Sequence, residues 1–373
     1  MSKTGDRRLV PFNIRDLSPY VAGKTIAEVK AEYRPSQISK LASNENRLGC
    51  SPKVEPAVIE ALQEIQDYPD PISRKLCAML AEKNGVKPEN IVVAAGSESI
   101  IAILCRTFFL NNEEAITADA TFVGFFVQAN IRGISLKKIP VTSDYRFDLD
   151  AMADAITPST KMIYIANPNN PTGTYITKAE FERFMQKVPG DVLVVMDEAY
   201  YEFAKDVPDY PHSLDYSFDN VITLRTFSKA YGLAGFRIGY AIGSEEIIGN
   251  MKKTKLTFEP TTPAQAAATA ALGDTEFLEK SRNAVETSKK RLYDFFEKHQ
   301  VEYIPSIANS VMMVLPDEQQ AIDFTQAMLE EGVILRRINA FGLPNCVRIT
   351  VGRDKEMEHF ERSFEKVMNV QEF

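Results

Sequence analysis

The chain holds only three histidines, His212, His299 and His359, and four cysteines, Cys50, Cys77, Cys105 and Cys346. The histidines are too scattered for a metal cluster or a histidine-based catalytic triad, and no Cys-x-x-Cys pair is present to bind zinc. Isolated cysteines also argue against a disulfide scaffold and for a reducing compartment. Basic charge is not in excess: 43 Lys and Arg stand against 51 Asp and Glu, a formal net charge of −8 over 373 residues. That balance disfavours nucleic acid and anionic lipid as partners and leaves small-molecule chemistry as the expectation. No uncharged stretch is apolar over the ~20 residues that a membrane helix needs. Ala120 to Ile131 comes nearest, and Met1 to Arg8 is charged where a secretion signal is apolar. The cytoplasm is the expected location.

No repeat, low-complexity tract or long linker divides the chain. Short apolar runs at Ile91–Ala94, Met162–Ala166, Val192–Met196, Val221–Leu224 and Phe236–Ile242 predict buried strands. Between most of them lie segments with helical period, Ser99–Leu110, Phe122–Ile131, Leu149–Ile156 and Lys178–Lys187. This alternation predicts an α/β fold with a mainly parallel sheet covered by helices on both faces. After Thr262 an Ala-rich helix leads into a long charged one, Thr275–His299, and the remainder reads as α+β. Its expected strands are Val311–Leu315, Val333–Arg336 and Val347–Val351, and its expected helices Glu318–Glu331 and Asp354–Val370. Residues before about Ser51 form no full unit and are expected to pack on the smaller domain or on a partner chain. The expected division is an arm with part of the small domain over 1–50, a large domain over 51–270 and a small domain over 271–373.

Four segments carry chemistry. Leu224 to Gly239 follows a strand and centres on Lys229, with hydroxyls at Thr226 and Ser228, a guanidinium at Arg237 and glycines at 232, 235 and 239. Hydroxyls with arginine suit a phosphate, and a lysine among them suits a Schiff base to an aldehyde cofactor, although a loop lysine taken alone is a solvated charge. Ala166 to Gly173 closes a strand where ligands gather in open α/β sheets, and its composition is also that of a plain turn. In the segment Val195 to Tyr201, Asp197 ends an apolar strand, as a buried carboxylate or as a cap for the next element. Ala95 to Ser99 joins a strand to a helix and points backbone N–H groups at an anion, or is an ordinary N-cap.

In order and spacing these segments, together with Lys40–Asn46, Tyr68–Pro71 and Arg348–Gly352, resemble the fold-type I pyridoxal-phosphate aminotransferases, and among them the histidinol-phosphate aminotransferases. The resemblance implies a large domain with a mainly parallel seven-stranded sheet sandwiched by helices, plus a smaller α+β domain. It implies that Lys229 binds pyridoxal 5′-phosphate and shuttles the substrate proton. Asp197 would face the pyridine nitrogen, and Asn170 and Tyr200 the phenolic oxygen. Gly96, Ser97, Glu98, Thr226, Ser228 and Arg237 would hold the phosphate, and Phe122 would stack on the ring where many relatives carry tyrosine. Arg348 would bind the substrate carboxylate, with Tyr20, Asn44 and Arg336 also at the substrate. Tyr68 would reach the partner's cofactor phosphate across a homodimer interface, and no metal is called for. The implied reaction moves the amine of L-histidinol phosphate to 2-oxoglutarate, giving glutamate, in histidine biosynthesis. An aromatic amino-acid aminotransferase is the alternative, and a decarboxylase of threonine-phosphate type stands behind it. The resemblance also suggests a cis bond at Asn170–Pro171. Arg47, Cys50 and Arg337 depart from the family's pattern and are expected near the substrate entrance.

Overall fold

The computed structural model describes residues 9–15, 17, 23–110 and 112–370. In chain order its strands are β1 (Ser39–Lys40), β2 (Ile91–Ala94), β3 (Glu114–Ala118), β4 (Ser135–Ile139), β5 (Thr160–Ala166), β6 (Leu193–Asp197), β7 (Val221–Thr226) and β8 (Gly239–Ile242), then β9 (Tyr303–Ile304), β10 (Ser310–Val314), β11 (Val333–Ile334), β12 (Arg336–Arg337) and β13 (Cys346–Thr350). Seven of these form one sheet in the order β2-β8-β7-β6-β5-β3-β4. Neighbours are parallel from β7 to β4, whereas β8 runs antiparallel to both β2 and β7. The carboxyl ends of β2, β5, β6 and β7 therefore open toward the same side.

Alternation along each strand feeds two cores. Met162, Tyr164 and Ala166 of β5, with Leu193 and Val195 of β6, pack under the helices Ser97–Phe108 and Val123–Arg132. Ile163, Ile165, Val194 and Met196 face the opposite core, with Phe181 and Phe184 of the helix Lys178–Met185. Burying such a side chain contributes about 1.5–3 kcal/mol. A one-residue slip would exchange the two faces and is strongly disfavoured. The register therefore holds Ala166, Asp197 and Leu224 level across three strands.

Near β2 and β8 the second face continues into a core shared with the C-terminal part of the chain, including Leu292, Phe324 and Phe360. There β12-β13-β10-β9 form an antiparallel sheet, and β1 pairs in parallel with β11. Residues 39–40 thus join the C-terminal part of the same chain.

Three differences from the sequence pattern have physical causes. β3 and β4 escape the apolar-run criterion because β3 mixes Glu114 and Thr117 with Ala115, Ile116 and Ala118, and β4 is an edge strand carrying Lys137 and Lys138, a charge placement that discourages further pairing. The run Val333–Arg336 breaks at Leu335, leaving β11 on β1 and β12 on β13. The strand expected from Phe236 starts only at Gly239, because Arg237 takes a left-handed backbone, φ +52°, at the edge of the pocket described next. Among the described residues no helix is long and apolar enough to cross a membrane.

Candidate active site

One pocket lies over the carboxyl ends of β2, β5, β6 and β7, lined by Asp197 and Lys229 among others. Asp197 is 4% exposed. The hydroxyl of Tyr164 donates to its Oδ2 at 2.5 Å, and the backbone N–H of Ala199 donates to its Oδ1 at 3.1 Å. Burial pushes this carboxyl up to about 6, against the pull of the Tyr164 and Ala199 hydrogen bonds and the Lys229 charge, while Glu198 adds a further upward push. A cationic ligand nitrogen beside Asp197 would favour its ionised form.

Lys229 follows β7 by a tight turn. Its Nζ lies 3.4 Å from the Ser43 carbonyl oxygen and 5.6 Å from the centre of the Tyr200 ring. The turn closes at Gly232, φ +73°, where a Cβ would sit 1.9 Å from the Gly49 carbonyl oxygen, so that only glycine fits. Tyr200 also lines the pocket, and its Oη accepts from Asn44 Nδ2 at 2.8 Å, leaving the hydroxyl hydrogen to point elsewhere. Asn44 is fixed from behind: its N–H donates to Thr350 Oγ1 at 2.9 Å, its Oδ1 accepts from that hydroxyl at 3.0 Å, and its carbonyl accepts from Asn309 Nδ2 at 3.0 Å. Its φ of +55° is a conformation asparagine tolerates better than most residues.

The opposite end of the pocket is built for an anion. Ser97 and Glu98 begin the helix Ser97–Phe108, whose first N–H groups have no acceptor within the helix and carry the positive end of its dipole. Thr226 Oγ1 and Ser228 Oγ lie 3.1 Å apart at the carboxyl end of β7, and Arg237 completes the wall. Gly96 has φ +91° and ψ 167°, and a Cβ there would lie 2.8 Å from Arg237 Nη2. Gly96→Ala is therefore expected to weaken cofactor binding roughly tenfold or more, by backbone strain and by displacing the guanidinium. Titration of the apoprotein with cofactor checks this, and an unchanged dissociation constant would contradict it.

Phe122 precedes the helix Val123–Arg132 and faces the same space. Asn170 lines the pocket, and its Oδ1 accepts from Arg348 Nη1 at 2.5 Å. Arg348, buried, also donates to the Ala42 carbonyl at 2.7 Å, and Arg336 is its register partner across β12 and β13. A phosphate-type cradle at one end, a carboxylate at the other, a lysine between them and an arginine beside Asn170 fit a flat ring that carries an anion, an aldehyde and a basic nitrogen. That donor set matches the group the resemblance implies. Among the described residues no cluster of three or more His, Cys, Asp or Glu is arranged to hold a metal ion.

Some expectations fall elsewhere. Tyr68 is 80% exposed and stacks on Phe258 at 4.2 Å, outside the pocket of its own chain. Tyr20 lies outside the described residues. Arg337 is tied to Glu318 at 2.8 Å and Arg47 to Glu356 at 2.7 Å, and neither lines the pocket because each guanidinium is held by a carboxylate of the C-terminal part. Cys50 is exposed and does not line it either. The cis bond in the Asn167–Gly173 segment is Asn167–Pro168, not Asn170–Pro171. Tyr164, Thr350 and Asn309 were missed by sequence reasoning. Tyr164 reads as a core aromatic, and its one available signal is being the only residue with a polar tip in the run Met162–Ala166.

The chain matches the profile of the family Aminotransferase class I and II over residues 36–364. It is 42% identical over 354 residues to the histidinol-phosphate aminotransferase of Geobacillus sp. (strain WCH70), a match covering 94% of this chain and 95% of that protein. It is 41% identical over 352 residues to the histidinol-phosphate aminotransferase of Anaeromyxobacter sp. (strain Fw109-5), covering 94% and 96%. Among solved structures it is similar to the histidinol-phosphate aminotransferase of Sinorhizobium meliloti in complex with pyridoxal-5′-phosphate, with a TM-score of 0.89, 26% identity and coverage of 98% and 99%. With a lysine and an aspartate on neighbouring strand ends, an anion cradle beside them and this extent of likeness, the chain belongs to the class I and II aminotransferase family.

Proposed function

We propose that the protein is a pyridoxal-phosphate-dependent aminotransferase that moves the amino group of L-histidinol phosphate to 2-oxoglutarate, giving imidazole acetol phosphate and glutamate. The observation that carries the reaction type is the shared pocket of Lys229 and Asp197, with Arg348 joined to it through Asn170. The likeness to histidinol-phosphate aminotransferases supports the substrate pair.

When bound, the cofactor supplies the electron sink that lets the C–H bond beside the amine ionise. The chain supplies orientation and charge. Backbone N–H groups of the Gly96–Glu98 turn, with Thr226, Ser228 and Arg237, would hold the phosphate. Asp197, oriented by Tyr164 and Ala199, would set a carboxylate against the ring nitrogen. Tyr200, steadied by Asn44, would donate its hydroxyl hydrogen to the phenolic oxygen, with the amide nitrogen of Asn170 as a second donor. Phe122 would cover the ring. Lys229 Nζ would take the proton from the substrate carbon that bears the amine and return it to the cofactor's carbon across the shared nitrogen, a role suited to a flexible side chain held by a 3.4 Å contact to a carbonyl. Arg348 binds the substrate carboxylate, with Arg336 and Tyr20 assigned to the phosphate end of the larger substrate. The exposure of Tyr68 on a stacked platform supports its assignment to a partner subunit's phosphate in a homodimer. The division at residues 50 and 270 and a cytoplasmic location belong to the same proposal.

The test is product analysis. Purified protein with cofactor, L-histidinol phosphate and 2-oxoglutarate is expected to form glutamate, whereas no glutamate from that pair together with carbon dioxide released from O-phospho-L-threonine would assign the chain to the decarboxylases. Arg348→Ala is expected to lose about 10²-fold in kcat/KM for 2-oxoglutarate, the usual scale for removing a buried cation from its anion. A change of less than about twofold would remove Arg348 from the substrate site.

A further inference from the structure

Behind the pocket lies a buried ion pair that the mechanism above leaves unused. Glu198 and Arg225 are 0% and 4% exposed, and Arg225 Nε and Nη2 reach Glu198 Oε2 at 3.0 and 2.8 Å. The other oxygen of Glu198 accepts from the N–H and Oγ of Ser213 at 3.0 and 2.6 Å. Arg225 Nη1 donates to Asn84 Oδ1 at 2.9 Å, and the guanidinium lies 3.4 Å from the centre of the Tyr201 ring. Each member adjoins a pocket residue in sequence: Glu198 follows Asp197, and Arg225 precedes Thr226. Because side chains alternate, the pair sits on the side of the sheet away from the pocket. Two desolvated charges gain from their attraction about what burial costs them, so an apolar pair of similar size would serve stability equally well. The pair's place between two site-bearing strand ends is what sets it apart.

We infer that Glu198 and Arg225 are positioning residues: they clamp the end of β6 to β7, so that Asp197 and the Thr226–Lys229 turn keep a fixed separation, and the guanidinium cancels a carboxylate adjoining Asp197. This rests on Asp197 being the partner of the ring nitrogen. The charges nearby are consistent with it. After burial, Glu198 is what pushes the Asp197 carboxyl up, while Tyr164 and Lys229 face Asp197 and pull it down. Burial disfavours the Arg225 charge, yet Glu198, Tyr240, Tyr201 and Glu202 around it hold it above its ordinary range. Glu202 is itself buried and raised, with Lys83 the next cation facing it.

The holoenzyme variants Glu198→Gln and Arg225→Met test this through the pH dependence of kcat. Removing the Glu198 charge should move the acid limb to lower pH, and leaving Glu198 uncompensated should move it to higher pH. Both should lower kcat roughly tenfold, the scale seen when an outer support of a site is removed. KM should stay within about twofold. A structural role alone would change melting temperature and cofactor content and leave the acid limb of the folded enzyme in place, which would overturn the inference, as would shifts in one common direction. If Arg225→Met does not fold, Glu198→Gln decides alone: a downward shift supports the inference and an unmoved limb overturns it. Failure of the aminotransferase reading shows separately, as wild-type protein that forms no glutamate.

Discussion

Lys229→Ala is expected to lower transamination by at least ~10³-fold, because in the proposed mechanism it removes both the covalent anchor of the cofactor and the base that moves the proton. The fold should survive the change. Lys229 is half-buried, and among the described residues its side chain makes one hydrogen bond, the 3.4 Å contact to Ser43, so little packing depends on it. Thermal unfolding should place the variant within about 0.5 kcal/mol of the wild type, the range of substitutions away from a packed core. The two readings must be made on the same sample. A folded variant that keeps normal turnover would remove Lys229 from the mechanism.

Asp197→Asn should have the second largest effect, lowering kcat by roughly 10²–10³-fold, the scale for removing one preorganised electrostatic group from a site. Its consequences for pH are separable from those for rate. The folded, ligand-free chain holds the Asp197 carboxyl up at about 6, above its ordinary value of 3.8. The folded state therefore binds more protons than the unfolded one between these values, and stability from this group falls as pH rises through that window. Above it the buried charge is a standing cost. Asparagine carries no charge, so the variant apoprotein should be more stable than wild type at pH 8, by about 1–3 kcal/mol. Cofactor binding has the opposite sign. In the proposed complex an ionised Asp197 would face a cationic ring nitrogen, so wild-type affinity should weaken as pH falls below about 6, and the variant should lose that dependence. Urea unfolding of both apoproteins at pH 5 and pH 8, with cofactor titrations at the same values, measures the pair of effects. An apoprotein that Asp197→Asn destabilises at pH 8 would mean that burial does not dominate its environment.

Much of this arrangement was legible in the sequence because strand ends announce themselves. Apolar runs stopping at Ala94, Ala166 and Met196 gave strands whose structural limits differ by no more than two residues, and each is followed by the polar segment that reaches the pocket. The buried core alternates with period two, so Asp197 could be placed at a strand end, but period says nothing of its partner. Tyr164 donates to Asp197 from the neighbouring strand, and that contact depends on the register between β5 and β6, which no single segment encodes. The same holds for Glu198 and Arg225, distant in sequence and joined only by the pairing of β6 with β7. Arg47 and Arg337 show the same limit from the other side. Their type and position suggested the substrate entrance, and the fold pairs them with Glu356 and Glu318, remote in sequence, away from the lining of the pocket. Chemical type was readable locally, and direction required the fold.

A cofactor-dependent amine transfer at Lys229 and Asp197, with L-histidinol phosphate as donor, can be followed in the visible absorbance of the purified, cofactor-loaded protein while L-histidinol phosphate is added with no keto acid present, with phenylalanine as the comparison donor. The band of the lysine-bound cofactor is expected to bleach at low concentrations of histidinol phosphate and only at high concentrations of phenylalanine, and to return when 2-oxoglutarate is supplied. Bleaching by phenylalanine at the lower concentration would contradict the proposed donor, and a protein that shows no such band after incubation with pyridoxal phosphate would contradict the role of Lys229 itself.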